Sequence, residues 1–161
     1  MRLPKKHKKL SSSYASRMSS DQEARVAREL GGYVTPNSGA GSTKGDIRLK
    51  DIARVECKST EKDKFLLTFA VIDKIRKEAL SAGEVPLIQI DFIQSCLKKQ
   101  CFYVIEDTYT KDYDAKEIKT NKSSVTLELL SLGQLCKFFY REKWYYVLEA
   151  NLFTEEIAPN L

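Results

Sequence analysis

Gly45-Asp46-Ile47-Arg48-Leu49 and, a few residues on, Val55-Glu56-Cys57-Lys58 decide how this chain reads. Ile47-Arg48-Leu49 and Arg54-Val55-Glu56-Cys57 alternate apolar with polar, the period of a half-buried strand. Lys50, Asp51 and Ile52 between them make the turn of a hairpin. Side chains two apart on a strand share a face, so Glu56 and Lys58 point one way while Val55 and Cys57 point to the opposite, core-facing side. A turn centred on Asp51 puts Asp46 opposite Glu56, with Cβ atoms about 4.5–5.5 Å apart. A register slip of one residue would send Asp46 to the other face. Carboxylates that close repel one another, and a divalent cation with oxygen ligands is the natural compensation. Written as spacing, the set is Asp-x9-Glu-x-Lys. It can hold a metal ion beside a phosphodiester and steady an attacking water.

Around this hairpin the sequence predicts one α/β domain. The 161 residues, 42% hydrophobic and 30% charged, suit a single core of ordinary size. A first helix is expected from about Asp21 to Leu30, stopped by Gly31-Gly32. Tyr33-Val34-Thr35 reads as a short strand, and Ser38 to Ser42 as a polar glycine-containing loop. Thr68 to Ala82 has helical periodicity. Pro86 to Ile93 and Cys101 to Glu106 read as buried neighbouring strands, and Thr108 to Lys122 as a polar loop. Ser124 to Leu130 is expected as a strand, Leu132 to Tyr140 as a short helix and Lys143 to Glu149 as a last strand. That order predicts a central mixed β-sheet flanked by helices.

The charge divides the chain differently. Residues 1–20 hold six of the 27 Lys and Arg residues (Arg2, Lys5, Lys6, Lys8, Lys9 and Arg17) and no acid. The other 141 residues therefore carry 21 cations against 22 acids. This Ser-rich stretch is expected to be a flexible basic arm, with the folded domain over residues 21–161. It reads either as a grip on nucleic-acid phosphates or as a solubilising tail.

Several chemistries are excluded. The one histidine, His7, lies in the arm, so a Ser-His-Asp hydrolase or a histidine-bound catalytic zinc has nothing to work with. Cys57, Cys96, Cys101 and Cys136 form no C-x-x-C pair. They are expected to be reduced thiols, which implies a cytoplasmic setting. No apolar run approaches the ~20 residues of a membrane helix, and Met1 to Lys5 lacks a signal-peptide core. Lys44 precedes Gly45 rather than Ser or Thr, so the loop is not a nucleotide-binding phosphate loop, although its amides could approach a DNA backbone. Glu23 has two readings. Ser20-x-x-Glu23 is a capping box, but a carboxylate at this place could also reach the hairpin as a third acid.

Glu23 to Gly32, Ser38-Gly39-Ala40-Gly41, Lys44-Gly45-Asp46-Ile47 and Val55-Glu56-Cys57-Lys58-Ser59 together resemble the PD-(D/E)XK nuclease superfamily. Within it the chain looks most like Holliday-junction resolvases of the archaeal type and their phage counterparts. The likeness covers about residues 20–95, with Gly45 where the motif's name has proline. It implies a restriction-endonuclease-like core and Mg2+-dependent hydrolysis of branched DNA, with Mn2+ able to substitute and no small-molecule cofactor. It also implies that Asp46, Glu56, Glu23 and the carbonyl of Cys57 hold the metal, and that Lys58 orients or activates the water. Ser38 would lie near the scissile phosphate, while Lys5, Lys6, Lys8, Lys9, Arg17 and Lys44 would contact DNA. Symmetric cleavage of a junction implies a homodimer, with candidate interface aromatics Phe138, Phe139, Tyr140, Trp144, Tyr145 and Tyr146. The same aromatics would serve equally to pack the chain's own core. The setting implied is the cytoplasm of a prokaryote or phage-infected cell. Other readings are a restriction-like, nicking or repair endonuclease of the same fold, or a DNA-binding module without catalysis.

Overall fold

The structure is a computed structural model that describes residues 7–36, 46–93 and 99–161, without the side chains of residues 7–17. Helix α1 (His7–Leu30) leads into β1 (Tyr33–Val34), β2 (Ile47–Leu49) and β3 (Ala53–Thr60). Then come β4 (Lys64–Thr68), α2 (Phe69–Ser81), β5 (Val85–Ile93) and β6 (Lys99–Glu106). The rest comprises β7 (Lys116–Glu117), β8 (Ser124–Glu128), β9 (Cys136–Tyr140), β10 (Lys143–Glu149) and a C-terminal helical run from Ala150. Among the described residues, eight strands form one mixed sheet in the order β1-β2-β3-β5-β6-β10-β9-β7, and β4 and β8 form a separate ribbon. The chain is thus α/β, with helices flanking a large mixed sheet.

The expected hairpin register is present. Ile47 pairs with Val55, Arg48 with Arg54 and Leu49 with Ala53, and Asp51 takes the turn with φ of 62°. β3 then runs parallel to β5. Parallel neighbours need a long crossover, and β4 with α2 supplies it.

Both faces of the sheet are covered, so each long strand feeds two cores in alternation. On β5, Ile88, Ile90 and Phe92 join Phe69, Ile72 and Ile75 of α2, closed over by Leu67, Val125 and Leu127 of the ribbon. Leu87 of β5 and Val55 of β3 face the other way, toward Val26 and Ala27 of α1. Phe153 closes that second core by stacking on Tyr103 at 4.1 Å.

Two sequence expectations are corrected, and one strand is added. The first helix starts at His7 rather than Asp21. Backbone that was expected in the flexible arm is therefore helical from residue 7, and Ser20 lies inside a helix where it cannot act as its N-cap. The segment expected as a helix over Leu132 to Tyr140 is instead a short 3-10 turn followed by strand β9. Cys136 and Phe138 are buried while Phe139 is exposed, a period of two enforced by pairing with β10. Strand β4 was not anticipated; its Phe65 and Leu67 alternate with Lys64 and the exposed Leu66.

The Gly31-Gly32 stop has a distinct reason at each position. Gly31 adopts φ of 71°, the left-handed turn that ends many helices. Gly32 presses against β2, where an added Cβ would lie 2.9 Å from both the Arg48 carbonyl oxygen and Leu49 Cδ1. The chain thereby passes from α1 directly into β1, which runs antiparallel alongside β2 toward Asp46.

Candidate active site

The site is assembled on the end of the hairpin next to α1. Asp46 immediately precedes β2, and its N–H donates to the Val55 carbonyl at 2.9 Å. Extending the observed register by one step places it opposite Glu56. Its Oδ2 accepts the Cys57 N–H at 2.7 Å, which fixes the carboxylate against β3.

Glu56 is buried, and Lys58 Nζ donates to its Oε1 at 2.8 Å. The two residues share a strand face as expected. The other oxygen, Oε2, is buried and, among the described residues, has no hydrogen-bond partner. Lys74 Nζ of α2 stands 3.6 Å from it, beyond ordinary hydrogen-bond length.

Glu23 reaches the same region from α1. Ser19 Oγ donates to its Oε1 at 3.4 Å. Partial burial raises its pKa above the usual carboxylate value. The Asp46 charge raises it further, Ser19 offsets part of the rise, and Glu56 adds a smaller increment. Glu23 therefore feels the charge of both hairpin acids, an arrangement in which cation binding relieves repulsion. Cys57 faces the second core with its thiol held protonated, first by burial and then by Asp46 and Glu23. That leaves its carbonyl, rather than its sulfur, as a possible ligand.

Among the described residues, no three Asp, Glu, His or Cys side chains converge closely enough to form a ready-made metal cage. The donor set nevertheless fits a hard divalent ion. Asp46, Glu56 and Glu23 offer carboxylate oxygens, one of them the unpartnered buried Oε2 of Glu56, and oxygen donors are what Mg2+ takes. Among the residues expected to contact DNA, Lys5, Lys6, Ser38 and Lys44 lie outside the described residues, as do the side chains of Lys8, Lys9 and Arg17.

Beneath the site lies a polar chain that the sequence reading missed. Gln22 of α1 donates to the Lys58 carbonyl and to Gln89 Oε1, both at 2.7 Å. Gln89 Nε2 passes the chain to Asp91 Oδ1 at 2.5 Å, and Arg25 closes it on Asp91 Oδ2 at 2.6 Å. Gln89 and Asp91 are wholly buried, where an unpaired amide or carboxylate would be costly. The legible signal was the strand Leu87-Ile88-Gln89-Ile90-Asp91-Phe92, which carries two polar side chains on one face of an otherwise apolar run. Lys74 was missed as well; it sits in α2 between the buried Ile72 and Ile75, with nothing local to mark it.

Compared with protein-family models and with curated proteins, the chain matches none. Among the described residues no helix is long and apolar enough to cross a membrane, and Cys57, Cys101 and Cys136 are free thiols.

Proposed function

We propose that this protein is a metal-dependent, structure-specific DNA endonuclease of the PD-(D/E)XK type, with four-way junctions as its preferred substrate. The observation that carries the reading is the Asp46…Glu56-x-Lys58 hairpin. Its register brings Asp46 to the Glu56 end of β3, and Lys58 bonds directly to Glu56. The order α1, hairpin, α2 crossover and parallel strand supports a restriction-endonuclease-like core.

In this reading Asp46, Glu56 and Glu23 would hold Mg2+, or Mn2+ in its place, with help from the Cys57 carbonyl. The bound ion would supply Lewis acidity at the phosphate and a lowered pKa for water. Asp46 is kept in position by the Cys57 N–H. The Lys58 ammonium, tethered by Glu56 Oε1, is preorganised to stabilise charge developing on the attacking oxygen or on the phosphate. Hydrolysis then leaves a 5′-phosphate and a 3′-hydroxyl. Basic residues 1–20 supply sequence-independent contact with the DNA backbone. Two strands must be cut in symmetric positions, so the active species is a C2 dimer. Of the candidate interface aromatics, Phe138, Tyr145 and Tyr146 are buried within the chain and Tyr140 is tied to α2, stacked on Phe69 at 4.0 Å and donating to Asp73 at 2.8 Å, whereas Phe139 is 46% exposed and rests against Trp144. Phe139 and Trp144 are therefore the candidates left for the dimer contact.

The test is a cleavage assay on four-way junction, flap, duplex and single-stranded DNA with Mg2+. The junction should be cut fastest. Asp46→Asn and Lys58→Ala should each lower cleavage by at least 10²–10³-fold while junction binding persists. Equal cutting of duplex or flaps would favour another endonuclease of this fold. Binding without cutting would favour a non-catalytic module. Metal-dependent cleavage retained in both variants would sink the assignment of the site.

A further inference from the structure

We infer that Lys74 of α2 is a second cationic residue of this site. It guards Glu56 while the metal is absent and turns to the substrate phosphate once the metal is bound. The inference rests on the metal-site reading above and adds a residue to it. Glu56 has an ammonium near each oxygen, but the two contacts differ. Lys58 makes a hydrogen bond at 2.8 Å to Oε1. Lys74 stands 3.6 Å from Oε2, an oxygen with no hydrogen-bond partner among the described residues. A charge held that loosely, on a side chain 51% exposed, contributes little to stability and is readily displaced.

The backbone beneath it is well anchored. Ile72 and Ile75, on either side in sequence, are buried in the core between α2 and the sheet. A flexible four-carbon stem on a fixed helix lets the ammonium move while its base does not. Charge bookkeeping points the same way. Among the described residues of the site, Glu23, Asp46 and Glu56 bring three negative charges, and Lys58 and Lys74 bring two positive ones. A divalent ion turns the resulting single negative charge into a single positive one, which a phosphodiester neutralises. Without Lys74 the metal-loaded site would carry no excess positive charge for the phosphate. When the ion takes Oε2, Lys74 loses its counter-charge there and becomes available to the incoming anion.

Two effects of opposite sign follow for Lys74→Ala. Mn2+ affinity, followed by the electron paramagnetic resonance signal of free Mn2+ without DNA, should tighten by about fivefold as a competing charge near 4 Å is removed. Single-turnover junction cleavage at saturating Mn2+ should fall by about 10–100-fold, as for a lost phosphate-stabilising contact. Lys74→Arg, which keeps the charge, should stay near wild type in Mn2+ affinity. Alanine is a strong helix former at this half-exposed site, so circular dichroism should report an intact fold. If wild type and Lys74→Ala bind Mn2+ equally, or cleave equally at saturation, the role of Lys74 is overturned and the metal site stands. If wild-type protein binds no Mn2+, both fall together.

Discussion

Gln22 and Lys58 are joined across the α1–sheet interface by one hydrogen bond, from the Gln22 side-chain amide to the Lys58 carbonyl at 2.7 Å. The bond ties the strand carrying Glu56 and Lys58 to the helix carrying Glu23. Neighbouring residues of α1 thus do two jobs, with Gln22 fixing the helix and Glu23 facing the acids of the hairpin.

The first prediction concerns this tie. Gln22→Ala leaves Gln89 Oε1 without the Gln22 donor in a buried setting, which costs about 1–3 kcal/mol for the unsatisfied group. Arg25→Ala strips the wholly buried Asp91 of its counter-charge and should cost more, about 3–5 kcal/mol. Urea unfolding followed by circular dichroism measures both. A Gln22→Ala midpoint equal to wild type would show that the chain of bonds is not maintained in solution.

Metal should stabilise the folded protein through the same residues. Under the proposed reading, Mn2+ at 100 times its Kd adds about 2.7 kcal/mol to the folded state. The melting temperature should therefore rise with added metal. Asp46→Asn and Glu56→Gln should abolish most of that rise. An equal rise in these variants and in wild type would place the metal elsewhere.

Acid should loosen the base of the hairpin. Glu84 is buried between Arg48 and Arg54, whose Nε atoms each donate to it at 2.6 Å, and it also accepts the Asp51 N–H at 3.2 Å. Burial pushes its pKa upward, but hydrogen bonds from Arg54, Arg48 and the Asp51 N–H outweigh it and hold the carboxyl below its usual 4.5. Below that usual value the unfolded chain binds this proton more readily than the native one, so stability falls as pH falls. The contribution is fully present above about pH 4.5 and disappears as pH drops through the lower, folded-state pKa. Glu84→Gln should cost about 3–5 kcal/mol at pH 7, with a gap to wild type that narrows toward pH 3. Urea midpoints at the two pH values check it, and a gap of constant size would refute the account.

The hairpin and its register were legible because three cues agreed: alternation of apolar and polar residues, a short turn centred on Asp51, and Glu-x-Lys on one face. Helix α2 and strand β5 were legible for the same reason, since both have long periodic apolar patterns. The start of α1 was not. Lys8 to Ser20 has few apolar residues to reveal a helical period, and Ser20-x-x-Glu23 imitates a helix start. β9 was misread because Cys136-Lys137-Phe138-Phe139-Tyr140 is too short and too aromatic to separate helix from strand without its partner β10. Of the site, the residues two apart on β3 could be read locally. Contacts of Gln22 with Gln89 and of Lys74 with Glu56 join residues far apart in sequence, and only the packing of helices on the sheet brings them together.

Gly32 should tolerate no side chain. Its missing Cβ leaves room for the Arg48 carbonyl oxygen and Leu49 Cδ1, both 2.9 Å from where that atom would stand. The carbonyl belongs to β2, paired on both sides, and cannot retreat without moving the sheet edge. Gly32→Ala should therefore destabilise by about 1–3 kcal/mol, as other overpacking changes do. Under the proposed reading it should also slow cleavage, because α1 and Glu23 are displaced from the hairpin. Thermal unfolding with a parallel cleavage assay reads both effects, and a variant as stable as wild type would count against the close packing.

The two adjacent phenylalanines of β9 should behave oppositely. Phe138 is fully buried, with Tyr145 stacked at 5.4 Å and Phe69 at 6.5 Å. Phe138→Ala should cost about 3–5 kcal/mol. Phe139 is exposed on the other face, against Trp144 at 5.0 Å, so Phe139→Ala should change monomer stability by no more than about 0.5 kcal/mol. If two copies meet through this patch, Phe139→Ala will instead shift the molar mass measured by light scattering toward the monomer while the urea midpoint at low protein concentration stays put. A dimer that survives Phe139→Ala and Trp144→Ala together would move the contact to another surface. A protein monomeric at working concentration before any substitution would count against symmetric junction cleavage itself.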